Sequence, residues 1–362
     1  MVGGLEPTLD RAAYLDDTVF AAERERIFAR QWCVIGRAGD APRPGDWFCV
    51  DLVGESLIVM RGDDLELRAF YNVCRHRGTQ LLDPAEGCRG HIMTGLRCPY
   101  HAWTYRRDGS LLRAPFLDVD ESTIALHSVG CETWGGFVLV CLEPSRSATL
   151  AEQLGPIPER VRRYPLAELR AGVRREYEVG ANWKVIAENY NECYHCGPVH
   201  PELCDVVPAF REHGGADLDW DAGIPHRDGA WTFTRTGTSD RAPFPDLDDD
   251  ERTRHKGELV YPNFFLSLSA DHVATFTLFP VDPSTTRIVF DVLFHPDAVD
   301  ASDFDPSDAV ELWDVTNRQD WAICERVQRG MRSRAWNHGW FAPMEDLSRD
   351  IRRWYDGLMR TA

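Results

Sequence analysis

The chain lacks any apolar run long enough to cross a bilayer. Its longest, such as Phe137-Val138-Leu139-Val140-Cys141-Leu142, have the length of a strand, against the roughly 20 residues of a membrane helix. Basic residues are also scarce: 58 Asp and Glu face 40 Lys and Arg, a formal net charge of −18. That balance argues against holding nucleic acid by phosphate neutralisation, and it mildly favours neutral or cationic small molecules over anionic ones. There is no internal repeat, no low-complexity tract and no glycine-rich flavin or dinucleotide fingerprint. Met1-Val2-Gly3-Gly4-Leu5-Glu6-Pro7 offers neither a basic stretch nor an apolar run. No export signal is therefore expected, and the cytoplasm is the expected compartment. The 11 cysteines are an odd number, which suits reduced thiols or metal ligands better than a disulfide framework.

What is present suffices for two domains, since 362 residues can bury a substantial core. Residues 16–31 look like an amphipathic helix. Short strand-like runs then follow at about ten-residue intervals, Trp32–Gly36, Asp46–Leu52 and Ser56–Met60 among them, the cadence of a small β-sandwich or barrel. This texture ends near Leu142, and the Pro-, Glu- and Arg-rich stretch Glu143–Pro165 is the expected boundary. Beyond it the sequence predicts strands at Arg174–Val179, Ala230–Thr234, Val273–Phe279 and Arg287–Phe294, with a turn at Asp282–Thr285 between the last two. Long helices are expected over Ser307–Arg332 and from Pro343 to the end. The fold class expected is α+β, an N-terminal β-sandwich followed by a helix-flanked antiparallel sheet. The expected divisions are 1–31, a helical segment packing on the second domain, then 32–145 and 146–362.

Two clusters carry chemistry. Cys74-Arg75-His76 and Cys98-Pro99-Tyr100-His101 each set a thiol and an imidazole two or three residues apart. Two Cys and two His could hold tetrahedral zinc, or a [2Fe–2S] cluster with thiolates on one iron and imidazoles on the other. Zinc sites usually pair like with like, and here each half is mixed, which favours the cluster and a role as one-electron relay. The second cluster lies in Asn182–His200. Glu192 and His195 would share one helix face, and a break at Gly197-Pro198 would swing His200 back beside His195. Two converging imidazoles make a metal site.

These residues resemble the Rieske non-haem iron oxygenases. Cys74-Arg75-His76-Arg77-Gly78 with Cys98-Pro99-Tyr100-His101-Ala102-Trp103-Thr104-Tyr105 and Asp108-Gly109 is similar to that family's cluster domain. Asn182-Trp183-Lys184 through Glu192-Cys193-Tyr194-His195 to His200-Pro201 is similar to its α-subunit catalytic domain, most of all in the group acting on glycine betaine, carnitine, choline and stachydrine. One departure is the 21 residues between His76 and Cys98, with the surplus expected in a loop over 87–95.

The resemblance implies Cys74, His76, Cys98 and His101 around [2Fe–2S], and His195 and His200 on a mononuclear Fe(II) completed by a carboxylate. The stripe Val310, Trp313, Asn317, Asp320, Cys324, Val327, Met331 on the long helix holds a single acid, Asp320, which becomes the third ligand. Glu192 is implied to bridge the iron to His101 of a neighbouring subunit; Asn189, one turn before Glu192 on its helix face, is expected near the iron without ligating it. The implied activity is that of a terminal oxygenase, a monooxygenase rather than a dioxygenase. With O2 and NAD(P)H-derived electrons it hydroxylates or N-demethylates a small quaternary ammonium or N-methyl amine. The implied partners are a separate reductase, with or without a ferredoxin, and two further copies in a homotrimer, without nucleic acid or membrane. The alternatives are hydroxylation of an aromatic or natural-product scaffold and, from another class, a non-catalytic Rieske carrier or zinc-stabilised module. Trp231 with Phe233, or Phe264 with Phe265, could supply rings for an ammonium head. Residues 235–256 read as a solvated loop or, alternatively, a lid.

Overall fold

The computed structural model describes residues 5–118 and 120–360. They form two units: Phe28–Gln153 is one, and the chain up to Ile27 together with Leu154 onward is the other. These divisions differ from the expected ones at 31 and 145 because the two ends of the first unit are tied to each other. Glu143 N donates to Ala29 O at 2.8 Å. The Trp32 backbone exchanges two hydrogen bonds with the Gln153 side chain, at 2.8 and 2.7 Å.

The first unit builds on β1 (Cys33–Arg37), β2 (Asp46–Leu52), β3 (Glu55–Arg61), β4 (Leu67–Tyr71), β5 (Arg89–His91), β9 (Ser128–Trp134) and β10 (Phe137–Cys141). Their antiparallel sheet runs in the order β1-β10-β9-β4-β3-β2-β5. The short strands β6 (Leu96–Arg97), β7 (Thr104–Tyr105) and β8 (Leu111–Arg113) make a second sheet. Alternation decides which side chains go inward, so Ile58 and Met60 of β3 join Phe70, Leu96, Trp103, Tyr105 and Leu111 in one core. The surplus residues expected in a loop are partly structured: β5 extends the sheet along β2, and His91 Nδ1 lies 2.8 Å from Asp46 Oδ1.

The second unit holds β11 (Arg170–Val179), β12 (Ile224–Pro225), β13 (Arg254–Val260), β14 (Phe264–Leu268), β15 (His272–Asp282) and β16 (Thr285–Phe294). They form an antiparallel sheet ordered β11-β16-β15-β14-β13-β12. Phe265, Phe276 and Phe290 stand opposite one another on adjacent strands, the cross-strand pairing that stabilises sheets. Ala230–Thr234 is not a strand. It curls into a turn closed by Trp231 N to Gly237 O at 2.7 Å, and Gly237 supplies the positive φ of +80°. The stretch that follows is pinned rather than loose. Arg241 bonds both Asp271 and Asp308, Phe244 N donates to Ala270 O, and Phe244 and Leu247 are buried.

The expected helix over 16–31 is instead Arg11–Leu15, Asp17–Glu23 and a wide turn Arg24–Phe28. Asp16 caps the second of these by accepting from Thr18 N at 2.7 Å. The long helix Ser307–Met331 has Val310, Trp313, Asn317, Cys324 and Met331 buried, as the stripe required. Val327 departs from it at 41% exposed, and Gln328, at 1%, turns inward in its place. Its amide explains why: Gln328 accepts from Asn182 N at 3.0 Å and donates to Tyr14 O and Pro283 O at 3.3 Å. The last helix begins at Asp346 rather than Pro343 and ends at Arg360. Among the described residues no helix is long and apolar enough to cross a membrane.

Candidate functional site

In the first unit two loops repeat one backbone pattern. Cys74 N donates to Thr79 O and Gly78 N to Cys74 O; Cys98 N donates to Trp103 O and Ala102 N to Cys98 O, all at 2.8–3.1 Å. Each loop turns through a positive φ four residues after its cysteine, at Gly78 (+74°) and at Ala102 (+59°). The thiols are 3% and 2% exposed, whereas His76 and His101 lie at the surface with ring centroids 4.7 Å apart. Trp103 stacks on His76 at 4.9 Å. Tyr105 is a residue whose part the sequence did not disclose. Its hydroxyl accepts from Arg75 N at 3.0 Å and lies 3.2 Å from Cys74 Sγ, to which it donates once that sulfur is a thiolate. Among the described residues only His195, His200 and Asp320 converge closely enough to share one ion. The four cluster residues do not, so one tetrahedral zinc does not suit them and a two-iron cluster does.

The second site begins at Asn182, whose side chain accepts from Lys184 N at 3.0 Å and starts the helix Trp183–Tyr190. That helix is anchored by charge. The Lys184 ammonium lies 2.6 Å from Glu23 Oε1 among the rings of Trp183, Tyr355 and Tyr14, and Trp183 and Tyr355 also donate to Glu23. It ends at Tyr190, so Glu192 and His195 do not share a helix face as expected. Glu192 instead folds the chain around its own carboxylate. Oε2 accepts from Tyr194 N and His195 N, and Oε1 lies 2.5 Å from His195 Nδ1. Nor is Gly197-Pro198 a break. It sits inside the short turn Cys196–Val199, where the first-turn proline costs no hydrogen bond, and His200 follows before the helix Pro201–Val206.

The imidazoles and the long helix then meet. Asp320 Oδ1 is 2.9 Å from His200 Nε2 and 3.3 Å from His195 Nε2, and the three ligand atoms lie within 4.8 Å of one another. Both Nδ1 atoms face acceptors, Glu192 Oε1 and, at 2.8 Å, Gln319 Oε1. A proton on each Nδ1 leaves both Nε2 lone pairs aimed at one point beside a carboxylate, the donor set of a facial triad. Burial opposes charge on His195, yet hydrogen bonds to Asp320 and Glu192 outweigh it and push its pKa up to about 11. Burial tends to raise Asp320, and the two histidines hold it below the usual carboxylate range. The negative field that retains a proton here also favours a divalent cation, which displaces that proton on binding.

Asn189 Nδ2 lies 3.2 Å from His195 Nε2, close to the meeting point. Gln319 and Glu202 went unanticipated, although they stand one residue before Asp320 and two after His200; Gln319 Nε2 donates to Glu202 Oε2 at 3.0 Å. The expected ring pairs do not act as pairs. Phe233 is buried against His255 and Trp313, with centroids 4.5 and 4.7 Å away, while Trp231 is half-buried. Phe265 stacks on Tyr190 at 4.3 Å.

The family described as "Rieske [2Fe-2S] domain" matches residues 31–127, and "Ring hydroxylating alpha subunit (catalytic domain)" matches 166–361. The carnitine monooxygenase oxygenase subunit of Acinetobacter pittii is 31% identical over 338 residues, covering 91% of this chain and 86% of that one. The glycine betaine monooxygenase oxygenase subunit of Chromohalobacter salexigens is 30% identical over 392 residues, covering 97% and 86%. The crystal structure of the quaternary ammonium Rieske monooxygenase CntA with L-carnitine superposes with a TM-score of 0.75 at 26% identity, covering 97% of this chain and 96% of that one.

Proposed function

Since the chain belongs to the ring-hydroxylating α-subunit family, with a Rieske domain ahead of the catalytic one, we propose that it is the terminal oxygenase that removes an N-methyl group from a small quaternary ammonium compound. When bound, the cluster passes single electrons and the iron activates O2 at its open positions. The residues that would hold them are Cys74, Cys98, His76 and His101 for the cluster, and His195, His200 and Asp320 for the iron. The convergence of two Nε2 atoms and Asp320 Oδ1 on one point carries this reading.

In the net reaction the N-methyl carbon gains one atom of O2. The other atom leaves as water with two electrons and two protons. The carbinolamine then breaks its C–N bond to give formaldehyde, the tertiary amine and a proton. Glu192 holds the Nδ1 proton of His195. A carboxylate has about four lone-pair sites and Glu192 uses three, which leaves capacity for a donor such as His101 of a neighbouring copy in a homotrimer. Asn189, whose Nδ2 lies 3.2 Å from His195 Nε2, is a neutral donor beside the ligand atoms and acts by orienting. From Trp313, two turns before Asp320, largely buried rings continue through Phe276 to Phe265 and Tyr190 and pack the core. With no dinucleotide fingerprint in the chain, electrons come from a separate NAD(P)H reductase, in the cytoplasm.

The test is oxygen uptake by the full chain with a surrogate reductase, across carnitine, γ-butyrobetaine, glycine betaine, choline and a set of aromatic acids. Formaldehyde is expected in a 1:1 ratio to O2 with at least one methylated ammonium compound. Uptake confined to the aromatic acids would replace this reading with ring hydroxylation.

A further inference from the structure

The two iron-facing histidines are oriented by different chemistry. His195 Nδ1 meets a carboxylate, which can only accept from it. His200 Nδ1 meets Gln319, whose amide offers an oxygen on one side and an NH2 group on the other. Only one orientation of that amide is useful. With Oε1 toward His200, the imidazole carries its proton on Nδ1 and presents a bare Nε2. With the amide turned over, the NH2 group would face Nδ1, draw its lone pair and move the ring proton to Nε2, where it would block a metal.

The structure assigns the choice between these orientations to Glu202, two residues beyond His200 on the helix Pro201–Val206. Its Oε2 accepts from Gln319 Nε2 at 3.0 Å, so the NH2 group is drawn to the carboxylate and the carbonyl is left for His200 Nδ1 at 2.8 Å. Glu202 and Gln319 are thus positioning residues, a relay that sets the tautomer of His200 from outside the ligand set. The arrangement ties the Pro201–Val206 helix to the Ser307–Met331 helix at the level of the ligands. Groups that orient metal-bound histidines are typically worth 10–100-fold in metal affinity. This inference rests on His200 being an iron ligand.

The experiment measures Fe(II) affinity by anaerobic chelator competition on the full chain, with its cluster intact and its mononuclear iron removed. Glu202→Lys puts a donor where the acceptor stood, drawing the Gln319 carbonyl away from His200. It is expected to weaken iron binding 10–100-fold, while the cluster absorbance and circular dichroism stay those of wild type. Gln319→Glu has no NH2 group to misplace, so Glu202→Lys added to Gln319→Glu is expected to restore binding to within a few-fold of wild type. A merely structural role for Glu202 would lower the melting temperature of Glu202→Lys together with its iron affinity, whereas the relay leaves the melting temperature of the iron-free protein at the wild-type value. Wild-type affinity in Glu202→Lys, or a double variant as weak as Glu202→Lys, would overturn the relay. His200→Ala is the control for the premise. If it binds iron like wild type, the ligand assignment itself falls; if it loses iron while Glu202→Lys does not, only the relay falls.

Discussion

At the scale of single residues, hydrogen-bond direction does most of the tuning. The Tyr105 hydroxyl lies 3.2 Å from Cys74 Sγ, and a cluster-bound thiolate there carries no hydrogen, so the hydroxyl is the donor. A donor to a cluster sulfur favours the more negative, reduced state and so raises the potential. Tyr105→Phe is therefore expected to lower the cluster potential. The bond exists in both redox states, so only its gain in strength on reduction counts; a gain of about 1 kcal/mol corresponds to roughly 40 mV for one electron, read by a redox titration in visible light. Glu192 makes the second residue-scale prediction. With saturating Fe(II), Glu192→Ala is expected to keep the cluster spectrum and to bind iron, yet to form no product in a single turnover from the reduced state. Wild-type product yield would remove its bridging role. Both residues stood inside legible motifs, but the sequence shows which residue types are present and not which atom donates. Tyr105 could have been read as an ordinary core ring, and nothing near Gln319 announced an acceptor.

At the scale of elements, the Trp183–Tyr190 helix is held by buried charge as much as by apolar packing. Lys184 and Glu23 are both essentially inaccessible, a pair whose disruption from one side leaves the other charge uncompensated. Glu188, on the same helix, has its carboxyl pushed from 4.5 up to about 7 by burial, which prevails over the hydrogen bond from Tyr14 and the charge of Lys184. A folded pKa above the unfolded one adds stability that is fully present below about pH 4.5 and is lost as the pH rises through about 7. Glu188→Gln keeps an acceptor for Tyr14 without the charge. Its melting temperature is expected to match wild type at pH 4.5 and to exceed it by a few degrees at pH 8. Equal melting temperatures at both values would refute the assignment.

Long periodic elements such as Ser307–Met331 and Thr285–Phe294 were readable because one side of each faces a core. The strand Arg254–Val260 was not, because its burial of His255, Lys256 and Glu258 hides the apolar signal. Ala230–Thr234 misled in the opposite direction. Its β-branched and aromatic residues suit a strand, but Thr232 bonds Asp271 and Gly237 closes the chain into a turn.

At the scale of the whole molecule, the two metal-binding sets fall in separately built units, each with its own sheet. Loss of one centre should therefore spare the other. Cys98→Ser is expected to abolish the visible cluster spectrum and all turnover while the catalytic unit still binds Fe(II) within a few-fold of wild-type affinity, measured by the same chelator competition. A parallel collapse of iron binding would mean that the units do not fold independently. The order of the two domains, and the convergence of His195, His200 and Asp320, were open to reading from the sequence because metal chemistry allows few substitutes. The unit boundaries were not, since the Trp32–Gln153 bonds that fix them join residues 121 positions apart.

Those bonds bear on how the protein is made. Phe28–Gln153 is continuous in sequence, with its ends clasped, and leaves the ribosome before most of its companion exists. Glu23, synthesised earlier still, has its partners Trp183, Lys184 and Tyr355 up to 332 residues downstream. At about 5–20 residues per second, that carboxylate waits on the order of tens of seconds for the charge that will neutralise it. If the units fold independently, the cluster-binding unit receives its iron and sulfide on a nascent chain, while the residues of the iron triad come together only after Asp320 has emerged.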